Sequence, residues 1–136
     1  MPFTKLRYHI ITRTKSSRRI ITPSVELILY ARMKEVASEC DGCMFALGGV
    51  EDHVHWVAAV PPVMPLSTFI GRVKSQSSST VREHPDGDPS FQWAIGYSAF
   101  TADPARLGSL LRYVHNQKHH HSTDDLRPGW EPDPRR

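Results

Sequence analysis

The residues of this chain best suited to chemistry near neutral pH are its eight histidines and four tyrosines. Two of the histidines, His53 and His55, flank a single apolar residue in Glu51-Asp52-His53-Val54-His55-Trp56-Val57. In an extended strand side chains alternate faces, so both imidazoles project one way while Val54 and Trp56 project the other. A pair of neutral nitrogen donors can form two corners of a metal site but cannot complete it. The plain alternative is two histidines on the exposed face of an edge strand. Further along, Tyr113 and Gln117 lie four residues apart in a helical pattern, so they share one helix face. His120 and His121 follow one turn later. If that face lies over the histidine pair, the Gln117 amide oxygen supplies a third ligand and leaves positions open for substrate oxygens. Tyr113 then reaches the same substrate. Its phenol is a poor nucleophile near a free pKa of about 10, whereas a phenolate beside a cation is a competent one. Taken singly, Tyr113 reads as a half-buried aromatic, Gln117 as a solvent-facing amide, and His119 to His121 as a solvated helix end.

The surrounding pattern supplies elements to position these groups. Leu6 to Thr12 reads as a first strand, followed by a basic loop from Arg13 to Arg19, after which Ile20-Ile21 can pair back. Thr22-Pro23 starts a helix whose apolar positions are Val25, Ile28, Leu29, Met33, Val36 and Cys40, and Asp41-Gly42 ends it. Cys43 to Val50 and His53 to Val60 read as antiparallel neighbours across a tight turn. Ser67 caps a second helix carrying Phe69, Ile70, Val73 and Val81, and Phe91 to Phe100 reads as a last strand. The order β-α-β-β-α-β defines an α+β, ferredoxin-like (split βαβ) antiparallel sheet with both helices on one face. A third helix, capped by Asp103 with Pro104 in its first turn, is extra to that plan and carries the tyrosine. The expected organisation is a single domain over residues 1–121 and a flexible, proline-rich tail over residues 122–136.

Composition narrows the function classes. The chain has 136 residues, 39% of them hydrophobic and 23% charged, which suits one soluble domain with a real core. No apolar run approaches membrane-spanning length and no signal-peptide pattern opens the chain, so the cytoplasm is the expected location, without a membrane partner. The net charge is only +3, but no acidic residue precedes Glu26 while Lys5, Arg7, Arg13, Lys15, Arg18 and Arg19 do. A one-signed segment of this kind suits a polyanion such as nucleic acid, or it is simply a solvated basic loop. Cys40 and Cys43 form a lone CxxC at a helix end, which reads as two free, buried or half-buried thiols rather than a zinc or redox pair.

Three blocks resemble the single-tyrosine HUH transposases, the small insertion-sequence and REP-associated tyrosine transposases. They are Ala46 to His55 (Ala-Leu-Gly-Gly-Val-Glu-Asp-His-Val-His), Phe91 to Phe100, and Arg112 to His120 (Arg-Tyr-Val-His-Asn-Gln-Lys-His-His). Tyr8 to Lys15 and Gly71 to Lys74 fit as well, so the likeness runs from about Tyr8 to His121. The resemblance implies a divalent ion, Mg2+ or Mn2+, on His53, His55 and Gln117, with Tyr113 as the nucleophile. Imidazole ligands favour manganese over magnesium, which prefers all-oxygen shells. It further implies cutting and rejoining of single-stranded DNA through a covalent 5′-phosphotyrosine, recognition of a DNA hairpin, and a homodimer that merges its sheets, with the site assembled in cis or in trans. The phosphate contacts expected on that basis are Arg13, Lys15, Arg18, Arg19, Arg72 and Lys74, with Trp93 or Tyr97 as stacking surfaces or, alternatively, core or dimer contacts. A catalytically inactive or domesticated nucleic-acid-binding module is the rival reading, and a metal-dependent phosphoester hydrolase the third.

Overall fold

In the computed structural model, which describes residues 6–123 and 130–131, four antiparallel strands form one sheet. They are β1 (Arg7–Arg13), β2 (Cys43–Val50), β3 (His53–Ala59) and β4 (Ser98–Thr101), arranged in the order β2-β3-β1-β4. Helices α1 (Pro23–Glu39) and α2 (Leu66–Glu83) connect β1 to β2 and β3 to β4. This is the split-βαβ arrangement that the order of apolar patterns implied. The C-terminal addition consists of α3 (Leu107–His115) and α4 (Gln117–Thr123).

The local signals explain most of the boundaries. The Thr22 hydroxyl accepts from the Val25 N–H at the start of α1, with Pro23 in the first turn where its missing N–H is harmless. The end of α1 uses Asp41 at φ 60° rather than glycine; a short side chain able to bond locally tolerates that region. Gly42 is needed there for space, because a Cβ would crowd the Ala59 carbonyl and the Phe69 ring.

Four expectations change. Ile20 and Ile21 do not join the sheet; Ile21 instead donates its N–H to the Glu51 carbonyl at 2.9 Å. The second helix begins at Leu66 with Pro65 at its N-cap and no capping side chain, so Ser67 lies inside it; the proline presets the entry and needs no hydroxyl. The last strand is confined to Ser98–Thr101, and residues 91–97 make only an isolated bridge between Trp93 and Thr14. Phe91 and Trp93 fold inward there in a T-shaped pair 5.2 Å apart, so packing rather than ladder bonding organises that stretch. The tyrosine helix is broken at Asn116, and Gln117 opens a second short helix.

The sheet separates two interiors. One face carries Ile10, Val54, Trp56 and Ala58, which pack with Leu29, Met33 and Val36 of α1 and Phe69, Ile70 and Val73 of α2. The other carries Ala46 and Val57, covered by Leu110 and Val114 of α3 and joined by Trp130. Gly48 lets α3 come this close: any Cβ there would collide with the Val114 carbonyl oxygen. Cys40 is buried and Cys43 exposed, both as free thiols; Cys43 opens β2 and so faces solvent instead of the interior. Among the described residues, no helix is long and apolar enough to cross a membrane. Apart from Ser122, Thr123, Trp130 and Glu131, the segment expected to be a flexible tail lies outside the described residues.

Candidate active site

β3 alternates as its sequence requires, so His53 and His55 share the face beneath α3. Both are buried in the chain, at 4% and 0% exposure, which excludes the reading of an exposed histidine pair. β1 brings a third imidazole. His9 pairs with Val57 in the sheet, stacks on His55 at 5.0 Å, and places its Nε2 2.8 Å from His55 Nδ1. On the other side, His53 Nδ1 donates to Asp52 Oδ1 at 2.7 Å, which leaves Nε2 as the lone-pair nitrogen. Burial holds His53 in the neutral form by lowering its pKa to about 4, with the Asp52 carboxylate opposing and the neighbouring His55 reinforcing. Burial, with His55 nearby, lowers His9 to about 3. Neutral imidazoles are the form that binds a metal.

α3 and α4 bring the remaining groups. Tyr113 is 2% exposed and lies edge-on to His55, with ring centroids 6.2 Å apart. Despite the break at Asn116, Gln117 stays on the same side. Its Nε2 donates to the Tyr113 carbonyl at 3.3 Å, and its Oε1 accepts from His121 Nε2 at 3.1 Å. His121 Nε2 is also 3.1 Å from His53 Nε2. Lys118 ties α4 to the hairpin and α1 through the Gly49 carbonyl and Glu26.

Two residues of the distal segment complete the enclosure. Trp130 packs against the Tyr113 ring at 5.0 Å, and Glu131 Oε1 accepts from the Tyr113 hydroxyl at 2.7 Å. The other carboxylate oxygen lies 3.4 Å from His55 Nε2, without the alignment of a hydrogen bond. Burial would raise the Glu131 pKa, but the His55 imidazole and the Tyr113 hydroxyl outweigh it and hold the carboxyl at about 2. His53, His55, His121 and Glu131 each offer a ligand atom, all within 4.8 Å of one another, so this cluster could hold a metal ion.

The sequence therefore pointed to His53, His55, Tyr113 and Gln117, and the fold brings all four together. It did not single out His9, Asp52 or Glu131, and His121 read as solvated although it faces the cluster. His9 occupies the strand phase that shares a face with His55, but only the β1–β3 register reveals it. For Glu131 the one signal was Trp130, the sole aromatic residue of the tail.

The basic residues are more dispersed. Arg13 is exposed at the end of β1, opposite His53 in the register, and lines a cleft with Ile11, Tyr97 and Ser98. Lys15 and Arg19 are exposed in the following turn, and Arg18 bonds to Ser90. Arg72 is exposed on α2, on the opposite side of the sheet. Lys74 donates to the Ala94 and Gly96 carbonyls, both at 2.8 Å, and so holds that loop. Trp93 is a core contact whose Nε1 donates to Ser77 Oγ, whereas Tyr97 is 43% exposed.

An α+β sheet with imidazoles enclosed beneath a tyrosine-bearing helix marks out the class of small transposase folds. The chain belongs to the IS200-like transposases: the model of that family matches residues 2–117. Two solved structures share the fold. One is a candidate transposase of Deinococcus radiodurans R1, 21% identical, covering 85% of this chain and 93% of its own, with a TM-score of 0.65. The other is a REP-associated tyrosine transposase bound to a REP hairpin, 11% identical, covering 96% of this chain and 76% of its own, with a TM-score of 0.64. No curated protein sequence matches this chain.

Proposed function

We propose that this transposase cuts and rejoins single-stranded DNA by direct attack of Tyr113 on a phosphodiester. The observation that carries the reading is the clustering of the Tyr113 ring, edge-on to His55, with the His53, His55, His121 and Gln117 donors beneath one helix. The Tyr113 phenol gives up its proton to water as its oxygen bonds to phosphorus, the bond to the 3′ oxygen breaks, and that oxygen takes up a proton from water and leaves as a hydroxyl. One phosphodiester is exchanged for another, so the reverse step, attack by a different 3′ hydroxyl, needs no external energy source. His53 and His55 would hold the divalent ion with the Gln117 amide oxygen alongside. When bound there, such an ion polarises the scissile phosphate and offsets its developing charge. The donors fit: the His53 imidazole is neutral and oriented by Asp52, and His55 Nε2 is buried with no hydrogen-bond partner. Nitrogen donors favour Mn2+ over Mg2+.

The partner in this reading is single-stranded DNA carrying a hairpin, consistent with the DNA-bound structure that shares the fold. Arg13, Lys15, Arg18, Arg19 and Arg72 are the phosphate contacts in this reading, with Lys74 steadying the loop beside them. A homodimer would use a sheet edge, and the β4 edge and its approach expose Ile95, Tyr97 and Phe100.

The test is to incubate the protein with Mn2+ and labelled single-stranded hairpin DNA and run a denaturing gel. A covalent adduct that vanishes in Tyr113→Phe is expected. An adduct surviving that change assigns the nucleophile elsewhere; free 5′ phosphate without adduct indicates a hydrolase, and binding without cleavage an inactive module.

A further inference from the structure

Beside the candidate site lies a cavity of about 210 Å³ that the chemistry of Tyr113 leaves unused. His9 of β1, Phe100 of β4, Asp103 and Arg106 in the turn before α3, Leu110 of α3 and Trp130 line it. Three of its walls are flat rings: Phe100 lies 5.9 Å from the His9 ring, and Trp130 is held in place by its contact with Tyr113. Its polar groups are a cation, a carboxylate and a buried imidazole. His9 is 1% exposed, its Nε2 is engaged with His55, and its Nδ1 makes no hydrogen bond within the protein. A buried ring nitrogen without a partner lowers stability, and the cavity that His9 borders is where a ligand can meet it. The cavity adjoins the candidate site on two sides, because His9 Nε2 is 2.8 Å from His55 Nδ1 and Trp130 is 5.0 Å from the Tyr113 ring. A phosphate held at Tyr113 brings the base of a flanking nucleotide within reach.

We propose that this cavity receives one unpaired nucleobase of the DNA strand, that of a nucleotide flanking the phosphodiester attacked by Tyr113. The proposal rests on the reading of this chain as a metal-assisted transposase of single-stranded DNA. Aromatic walls stack on the π-face of any base, and the polar groups choose among bases. For His55 Nε2 to offer a lone pair to an ion, His55 carries its proton on Nδ1 and donates to His9 Nε2. His9 then carries its own proton on Nδ1, the atom without a partner. His9 Nδ1 and the Arg106 guanidinium therefore present donors, which match a base edge with two adjacent acceptors. Guanine offers O6 and N7, and cytosine offers O2 and N3; adenine has no such pair. Asp103 Oδ1 accepts from the Ala105 N–H at 2.9 Å, so it holds the turn that carries Arg106.

The test equilibrates the full-length protein, in EDTA, with a DNA hairpin whose single-stranded flanks are randomised, and sequences the DNA that stays bound. One flank position should be enriched in guanine or cytosine over adenine by roughly fivefold or more. Arg106→Ala removes the cation and Thr101→Trp fills the cavity from the β4 side; each should bring that preference below about twofold, with a thermal melt checking that the variant is folded. Equal use of the bases at every flank position, enrichment in adenine, or a preference unchanged in both folded variants overturns the proposal. So does a wild type that retains no DNA. The covalent adduct formed with Mn2+ is scored separately on the same DNA. Adduct without base preference removes the cavity's role and keeps the transposase reading, whereas base preference without adduct keeps the cavity's role and removes that reading.

Discussion

The two faces of the sheet are built from the same strands and put to opposite uses. β3 sends Val54, Trp56 and Ala58 into the interior under α1 and α2, and His53, His55 and Val57 into the interior under α3. Both faces exclude water. The first buries hydrocarbon, the largest favourable contribution to folding. The second encloses imidazoles, an amide and a carboxylate, whose desolvation is offset only by contacts to one another. His9 Nδ1 and His55 Nε2 make no hydrogen bond at all. The α1/α2 face carries stability, whereas the α3 face gathers the polar groups of the candidate site at the expense of stability.

Substitutions on the two faces should separate these roles. The largest effect is expected on the chemical face: Tyr113→Phe should lower covalent adduct formation by roughly 10³-fold or more while the melting temperature stays near that of the parent. A simultaneous collapse in stability would blur the division. Next, Gly48→Ala should drive α3 off β2 through the Val114 carbonyl, and a displacement of about 1 Å can cost about 10²-fold in rate. The adduct assay checks this, and unchanged activity would mean that α3 need not sit so close.

On the opposite face, Trp56→Ala should cost about 3–5 kcal/mol by denaturant unfolding, since Trp56 is fully buried and its indole N–H is bonded to Thr12. A loss under 1 kcal/mol would show that the core is not where stability resides. The buried histidines give a pH signature. Their pKa values are lower folded (about 4 for His53, about 3 for His9) than the ordinary 6.5, so below 6.5 the unfolded chain binds more protons. Stability of the metal-free protein should therefore fall as pH drops from about 6.5 towards 4, by about 1.4 kcal/mol per pH unit for each such group. His9→Leu should flatten that slope. The smallest effect is expected from His9→Leu at pH 7.5: a loss of about 1–2 kcal/mol, because removing the unpaired His9 Nδ1 only partly offsets leaving His55 Nδ1 without its partner. A loss of several kcal/mol would give the imidazole face a structural role after all.

Period-two alternation placed His53 and His55 together, i,i+4 spacing put Tyr113 and Gln117 on one side, and Thr22-Pro23 marked the start of α1. These are local rules in which each residue is read against its near neighbours, and here they were sufficient for the fold class and for four residues that the fold brings together. Where a boundary depended on distant partners, local reading slipped. Phe91 and Trp93 look like strand residues but are drawn into the core, and the helix bearing Tyr113 breaks at Asn116, where no proline or glycine announces it.

By itself, then, the sequence determined the order of elements, the direction in which each strand residue points and the shared helix side of Tyr113 and Gln117, because these follow from periodicity along a single segment. Only the tertiary structure decided that His9 stands behind His55, that His121 turns inward and that Glu131 reaches Tyr113 from 18 residues away. Those contacts join segments through packing and strand register, which no spacing along the chain encodes.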